Sequence, residues 1–321
     1  EHLFVASAHS YVLVFTDRGR LYWIKVHQIP EVASNARGKT IVNLLTVEQG
    51  ESVRALLTVR DFNDAKYVVM VTRAGKIKKT ELTAFSNVRA NGIIAIDINE
   101  GDDLYAVRLS QGDDEIFIGT HDGMAIRFNE NGVRPMGRGA AGVKGISLRE
   151  GDYVVEMDVL PASGEAVPEP MAEGEEPEIV ESEPEGDDAE IIASDERGQV
   201  LTITEKGFGK RTPVSAYRLQ SRGGIGVTNI KTTDKNGKVA GISYVFEDDQ
   251  VLLITEQGMI IRTNVADIRS IGRSTQGVRV INIDENDLVV AAVKLVDKED
   301  SEEEEEIAGV DSETPDDDTI Q

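Results

Sequence analysis

The feature that most limits what this chain can fold into is a unit that recurs five times. Each copy opens with an apolar stretch that runs into a polar turn and ends on glycine: Val12-Leu13-Val14-Phe15-Thr16-Asp17-Arg18-Gly19, Val68-Val69-Met70-Val71-Thr72-Arg73-Ala74-Gly75, Ile116-Phe117-Ile118-Gly119-Thr120-His121-Asp122-Gly123, Leu201-Thr202-Ile203-Thr204-Glu205-Lys206-Gly207 and Leu252-Leu253-Ile254-Thr255-Glu256-Gln257-Gly258. The turn glycines lie 56, 48, 84 and 51 residues apart, and the one long interval holds a 28-residue acidic stretch, without which it too becomes 56. A period of about 40–50 residues is the mark of propeller-like or solenoid arrays.

The anatomy of the unit narrows this further. Each turn glycine leads into another β-rich stretch, such as Leu21-Tyr22-Trp23-Ile24 or Met259-Ile260-Ile261-Arg262, so the pair reads as a hairpin whose turn needs positive φ. A second glycine follows the first by 19, 17, 19, 19 and 19 residues, at Gly38, Gly92, Gly142, Gly226 and Gly277. After it come a third strand, as in Ile94–Ile98 or Val278–Ile283, an acidic turn such as Glu150-Gly151-Asp152, and a fourth strand such as Tyr153–Met157. Four strands in each of five units predict an all-β bladed array over residues 1–296, with units at about 1–60, 64–110, 112–162, 190–245 and 246–296. The stretch between second and third strands, such as 26–36, reads as a loop, where recognition residues concentrate.

The formal net charge of −24 argues at first against a nucleic-acid partner. Its distribution reverses that. Residues 163–190 hold twelve acids, four prolines and no base, which predicts a disordered insertion; residues 297–321 hold thirteen acids against Lys298 alone, which predicts an acidic tail. The remaining 268 residues contain 33 acids and 33 bases. Between the two glycines of each unit, seventeen bases stand against only Glu31, Glu81, Glu130 and Asp267, a net of +13, which leaves −13 for the rest of the body. Because equivalent parts of each unit occupy equivalent places round an array, this predicts a positive band suited to the phosphates of double-stranded DNA. The candidate contacts are Arg20, Lys25, Arg37, Lys39, Lys76, Lys78, Lys79, Arg89, Arg127, Arg138, Lys210, Arg211, Arg222, Arg262 and Arg273. A protein-interaction propeller is the alternative, with the bases as ordinary solvated strand faces.

Other chemistry finds little support. The four histidines, His2, His9, His27 and His121, lack metal-ligand spacing, no Walker-type phosphate loop occurs, and the absence of cysteine excludes thiolate metal sites and a disulfide framework. No catalytic residue and no metal site are assigned. No apolar run reaches the roughly 20 residues of a membrane-spanning helix.

The run Val14-Phe15-Thr16-Asp17-Arg18-Gly19-Arg20-Leu21-Tyr22, continued by Lys25-Val26-His27-Gln28-Ile29-Pro30-Glu31 and Ala36-Arg37-Gly38-Lys39-Thr40-Ile41-Val42-Asn43-Leu44-Leu45, resembles the C-terminal domain of the bacterial DNA gyrase A protein. Gly207-Phe208-Gly209-Lys210-Arg211-Thr212 and Gly272-Arg273-Ser274-Thr275-Gln276-Gly277-Val278 add to the resemblance, which covers residues 1 to about 296 without the insertion. The repeat alone also fits the related topoisomerase IV protein. The resemblance implies a β-pinwheel whose blades exchange strands, with DNA bent round a basic outer rim and wrapped so that strand passage introduces negative supercoils. It implies as partners the remainder of the gyrase A protein and the gyrase B protein in a heterotetramer, ATP and magnesium used elsewhere in that assembly, and a bacterial cytoplasmic location, the chain by itself being a monomer. The family's heptad, Gln-Arg-Arg-Gly-Gly-Arg-Gly in its first blade, has only a degenerate match here, Gln220-Ser221-Arg222-Gly223-Gly224-Ile225-Gly226 in the fourth unit. Five units instead of six, and Glu at residue 1, imply a piece of a longer chain that begins after the heptad.

Overall fold

The computed structural model describes residues 6–30, 44–62, 66–89, 91–165, 197–284 and 286–295. The predicted acidic tail lies outside these residues, as does the predicted acidic insertion apart from 163–165, and so do Arg37 and Lys39.

Each unit is built on a hairpin. In the first, β1 (Tyr11–Thr16) turns into β2 (Arg20–Lys25), and β3 (Val53–Val59) returns along the far side of β1. The second unit supplies β4 (Tyr67–Thr72), β5 (Lys76–Glu81), β6 (Ile93–Ile94) and β7 (Leu104–Ser110). The third supplies β8 (Glu115–Thr120), β9 (Met124–Asn129), β10 (Val143–Lys144) and β11 (Val154–Leu160). The fourth runs β12 (Gln199–Thr204), β13 (Phe208–Pro213), β14 (Val227–Thr228) and β15 (Val239–Val245), and the fifth β16 (Gln250–Thr255), β17 (Ile260–Asn264), β18 (Val278–Arg279) and β19 (Val289–Leu295). Glycine is required at the hairpin turn: Gly19 has φ 72°, and a Cβ there would lie 2.5 Å from the Ile96 carbonyl oxygen.

Units and blades are not the same thing. The sheets run β3-β1-β2-β6, β10-β5-β4-β7, β11-β8-β9-β14, β15-β12-β13-β18 and β17-β16-β19. The third strand of each of the second to fifth units therefore leaves its own hairpin and completes the sheet of the unit before it. The result is an all-β array of five blades with exchanged strands, the fifth having three strands among the described residues. The sequence predicts full third strands over Ile94–Ile98 and Val278–Ile283, but only Ile93–Ile94 and Val278–Arg279 enter a ladder. The reason is the next pair of amides: Ala95 and Ile96 both donate to the Gly19 carbonyl (2.8 and 3.2 Å), which bends the chain out of the sheet. The same pair of bonds recurs from Gly145 and Ile146 to Gly75, from Asn229 and Ile230 to Gly123, and from Val280 and Ile281 to Gly207.

The returning strands β3, β7, β11, β15 and β19 pack on one another from blade to blade, which places them nearest the axis and leaves the donated strands as the outer edges. The cores lie between blades. Leu13, Phe15 and Leu21 of the first blade meet Val68, Met70, Phe85 and Leu104 of the second, with Ala95 and Ile96 filling the seam. Each such large side chain contributes about 1.5–3 kcal/mol through burial. On the face of the first blade away from the second, Val12, Val14, Tyr22 and Ile24 are covered by Leu44, Leu45 and Val47 of the same unit.

Candidate nucleic-acid interface

Two places on the second strand of each hairpin decide what most of the basic residues do. Three places after the turn glycine stand Lys78 and Lys210, and four places after it stand Lys79, Arg127, Arg211 and Arg262. At three of the blade junctions the loop of the following unit crosses this strand in parallel, pairing Lys79 with Pro135, Arg127 with Leu219 and Arg211 with Ser270. The amides of Met136, Gln220 and Ile271 donate to the Lys79, Arg127 and Arg211 carbonyls at 2.8, 2.9 and 2.9 Å.

The crossing loop covers the cations. Lys78 and Lys210 have no exposed surface; Lys78 Nζ donates to the carbonyls of Ala95 (2.5 Å) and Arg138 (2.6 Å), and Lys210 Nζ to those of Gly272 and Arg273 (2.5 Å each). Burial, aided by the nearby Arg138 charge, lowers the Lys78 ammonium to about 8; burial beside Arg273 holds Lys210 well below the lysine range. A neutral amine still has two N–H groups, one for each carbonyl, so the arrangement survives loss of the charge. Arg127 is equally enclosed, donating to Glu115 Oε2 (2.5 Å), the Tyr217 carbonyl (2.7 Å) and Glu165 Oε1 (3.1 Å). Burial opposes its charge, but the Glu115 and Glu165 carboxylates more than compensate and raise its pKa. Arg211 donates to the Ile268 carbonyl (2.6 Å), Gln199 (3.1 Å) and Glu247 (3.0 Å), while Lys79 meets Glu130 at 3.3 Å. The surface band therefore excludes Lys78, Lys79, Arg127, Lys210 and Arg211: their charge satisfies carbonyls and carboxylates where neighbouring units meet.

The acids also have internal uses. Asp102, Asp152 and Asp287 each accept the amide just before the turn glycine of their own unit, from Ala74 (2.9 Å), Asp122 (2.9 Å) and Gln257 (3.0 Å). The acidic turn of the repeat thus braces the hairpin turn.

A family model described as the DNA gyrase C-terminal domain, a β-propeller, matches residues 10–60, 66–110, 114–161, 198–245 and 249–295. The chain belongs to this family. The DNA gyrase A protein of Salmonella typhimurium is 39% identical over 309 residues, which cover 96% of this chain and 31% of the relative. The chain thus spans about a third of the length of such curated relatives. Among solved structures, the C-terminal domain of DNA topoisomerase IV aligns with a TM-score of 0.75 at 26% identity, over 94% of this chain and 85% of that one. The DNA gyrase A C-terminal domain aligns at 0.69 and 25%, over 91% and 84%.

In this gyrase-family chain the degenerate heptad lies in the crossing loop between the third and fourth blades. Gln220 donates its amide to Arg127, Gly223 to Gly145 (2.7 Å), and the Arg222 guanidinium reaches the carbonyls of Gly132 (2.7 Å) and Lys144 (3.1 Å). Gly226 closes the loop at φ 82°, where a Cβ would come within 2.2 Å of the Ala125 carbonyl oxygen.

The other predicted contacts divide by exposure. Arg89 and Arg262 are exposed, and Arg20, Lys25, Lys76, Arg138, Arg222 and Arg273 are half-buried. Arg20 lies 3.5 Å from Glu48, and Arg273 donates to the Thr228 carbonyl at 3.2 Å. Arg262 sits on the Gln250 side chain, open to solvent because no following loop crosses it among the described residues. Arg134, Arg218 and Arg269 fall within the basic windows without being singled out by the sequence, and all three are exposed on the crossing loops. Lys144 and Arg279, on the donated strands β10 and β18, escape the sequence reading altogether. Both follow shortly after a second glycine, where counting between the glycines stops. The sequence signal that finds them is the donated strand itself, since its two residues form the outer edge of the preceding blade.

Proposed function

We propose that this domain binds double-stranded DNA without sequence preference along its outer edge and bends it round the array. The observation that carries the reading is the placement of solvent-facing cations: Arg134, Arg218 and Arg269 on crossing loops, Lys144 and Arg279 on donated strands, with half-buried Arg138, Arg222 and Arg273 beside them. These are separate elements repeated from blade to blade, so their charges follow a curve and can track successive phosphates. Each phosphate neutralised releases counterions, which makes such binding independent of sequence and steeply dependent on salt. Among the described residues the blades offer no helix or β-ribbon shaped to read a groove, which supports phosphate contact rather than base readout as the mode.

In the longer protein the domain serves, on this reading, as the C-terminal domain of a gyrase A protein that presents bent DNA to the strand-passing machinery and directs ATP-dependent negative supercoiling. ATP and magnesium act elsewhere in that assembly, with the rest of the gyrase A protein and the gyrase B protein as partners in the bacterial cytoplasm. The degenerate heptad, with Ser221 and Ile225 where the family has arginine, favours a partial, out-of-plane bend over a full wrap by this chain alone.

Fluorescence anisotropy with a labelled duplex tests the proposal. Binding is expected at low salt, with log affinity falling linearly against log salt and no difference between unrelated sequences. Replacing Arg134, Lys144, Arg218 and Arg279 together with glutamine should abolish it. Absence of low-salt binding would instead favour a protein-interaction array.

A further inference from the structure

Of the four outer edges closed by a donated strand, one sets two cations directly against each other. The residue after the turn glycine pairs with the second donated residue: Arg20 with Ile94, Lys76 with Lys144, Met124 with Thr228 and Phe208 with Arg279. Arg20 has Glu48 at 3.5 Å, and the Arg279 guanidinium lies 4.7 Å over the Phe208 ring. Lys76 and Lys144 have no such relief. Residues directly opposite in an antiparallel ladder project from one face with Cβ atoms about 4.5–5.5 Å apart, a separation at which like charges repel. Among the described residues neither lysine ammonium has an ion-pair or hydrogen-bond partner, and the bonds of both residues are made by the backbone.

The surroundings keep the pair where it is. The Arg222 guanidinium reaches across from the fourth unit to the carbonyls of Gly132 (2.7 Å) and Lys144 (3.1 Å), and the Gly223 amide donates to the Gly145 carbonyl (2.7 Å). In return Ser147 donates its amide to the Gly224 carbonyl (2.8 Å) and its hydroxyl to the Gly223 carbonyl (2.7 Å). The degenerate heptad is thus a clamp on the strand that carries Lys144, and it brings a third positive charge to that strand. Beside the two lysines opens a cleft of about 400 Å³, lined by residues of 74–76 and 142–148 with no acidic side chain among them. We propose that Lys76 and Lys144 together hold one phosphate at this cleft, and that in bound DNA this phosphate is the fixed point that sets the register of the duplex on the array. An anion between two opposed ammonium groups turns their repulsion into two charge-assisted hydrogen bonds, which a lone surface lysine cannot match, and phosphate contacts are what fix a protein's position on a duplex. DNA as the source of the phosphate rests on the function proposed above; the two-lysine seat itself does not.

Two arms test this. Inorganic pyrophosphate titrated into the ¹⁵N-labelled chain should shift the amide resonances of Lys76, Lys144 and Ser147 saturably, and Lys76→Gln and Lys144→Gln should each abolish that shift while leaving the rest of the spectrum in place. In duplex binding at low salt each single replacement should weaken affinity about fivefold, and the two together also about fivefold rather than about 25-fold, because both act on one phosphate. Lys144→Gln combined with Arg279→Gln, on separate edges, should reach the full product. No saturable shift with pyrophosphate, or a shift that persists in either variant, would overturn the seat. Losses from Lys76→Gln and Lys144→Gln that multiply would overturn the sharing of one DNA phosphate. A wild type that shifts with pyrophosphate but binds no duplex would uphold the seat, for a free phosphate, and overturn both its role in setting DNA register and the DNA-binding reading on which that role rests.

Discussion

Lys210 and Arg211 in the fourth unit occupy the same two places after the turn glycine as Ile261 and Arg262 in the fifth, yet their surroundings are opposite. Lys210 and Arg211 lie beneath Ile268–Arg273 and donate to their backbone. Arg262 is exposed and touches Gln250. The arginine has not changed; what differs is that no loop among the described residues crosses the fifth hairpin. In a strand-exchanged array, whether a cation is a junction staple or a surface charge depends on whether a following loop crosses its strand, and the hairpin that carries it does not decide the matter.

The largest break in this comparison comes from truncating both arginines. Arg211→Ala strands the buried Ile268 carbonyl and Gln199 oxygen, while Glu247 is open to solvent, and should cost about 3–5 kcal/mol in urea unfolding, each buried unsatisfied acceptor costing about 1–3 kcal/mol. Arg262→Ala should stay within about 0.5 kcal/mol. Equal costs would mean that the junction does not depend on the cation. A smaller effect of the same form separates two glycines. Gly226→Ala meets both a left-handed φ and a carbonyl 2.2 Å away, and should cost about 3 kcal/mol, whereas Gly258→Ala, at φ 88° with open space around it, should cost about 1 kcal/mol.

The third expectation concerns pH. Lys78 at about 8 lies below the ordinary lysine value of about 10.4, so the unfolded chain holds that proton more tightly than the folded one. The cost of burying the charge is therefore fully present below about pH 8 and is relieved as pH rises from there towards about 10. Unfolding free energy measured across that window should climb more in wild type than in Lys78→Met. Smallest of all, the single replacements Lys144→Gln and Arg279→Gln should leave stability unchanged and each reduce the salt slope of DNA binding by about one. Arg211→Lys, at a buried place, should leave that slope as it is.

Much of the architecture is legible in the sequence because it is local. Turn glycines with polar approaches, apolar runs on either side and a second glycine at fixed distance mark hairpins and their repetition without reference to anything distant. Strand exchange is not legible from the residues, since Ile93–Ile94 carry nothing that says whether they pair with β5 or with β2 some 70 residues earlier; only the resemblance implies it. The candidate interface suffers from the same blindness. Charge counting finds a segment of the unit that carries surface cations, but on an isolated hairpin Lys76 and Lys78 share one face. The crossing loop from the third unit, together with Ala95 at the seam, makes the second of them interior. Lys144 and Arg279 are lost for the converse reason, their exposure being a property of the blade they join rather than of the unit that encodes them.

The most direct test of a DNA-bending outer edge is topological. A nicked plasmid sealed by ligase in the presence of this chain at low salt should show a shifted linking-number distribution relative to the protein-free control, and the shift should vanish when Arg134, Lys144, Arg218 and Arg279 are replaced by glutamine. A distribution identical to the control at saturating protein would contradict the account, even if the duplex is bound.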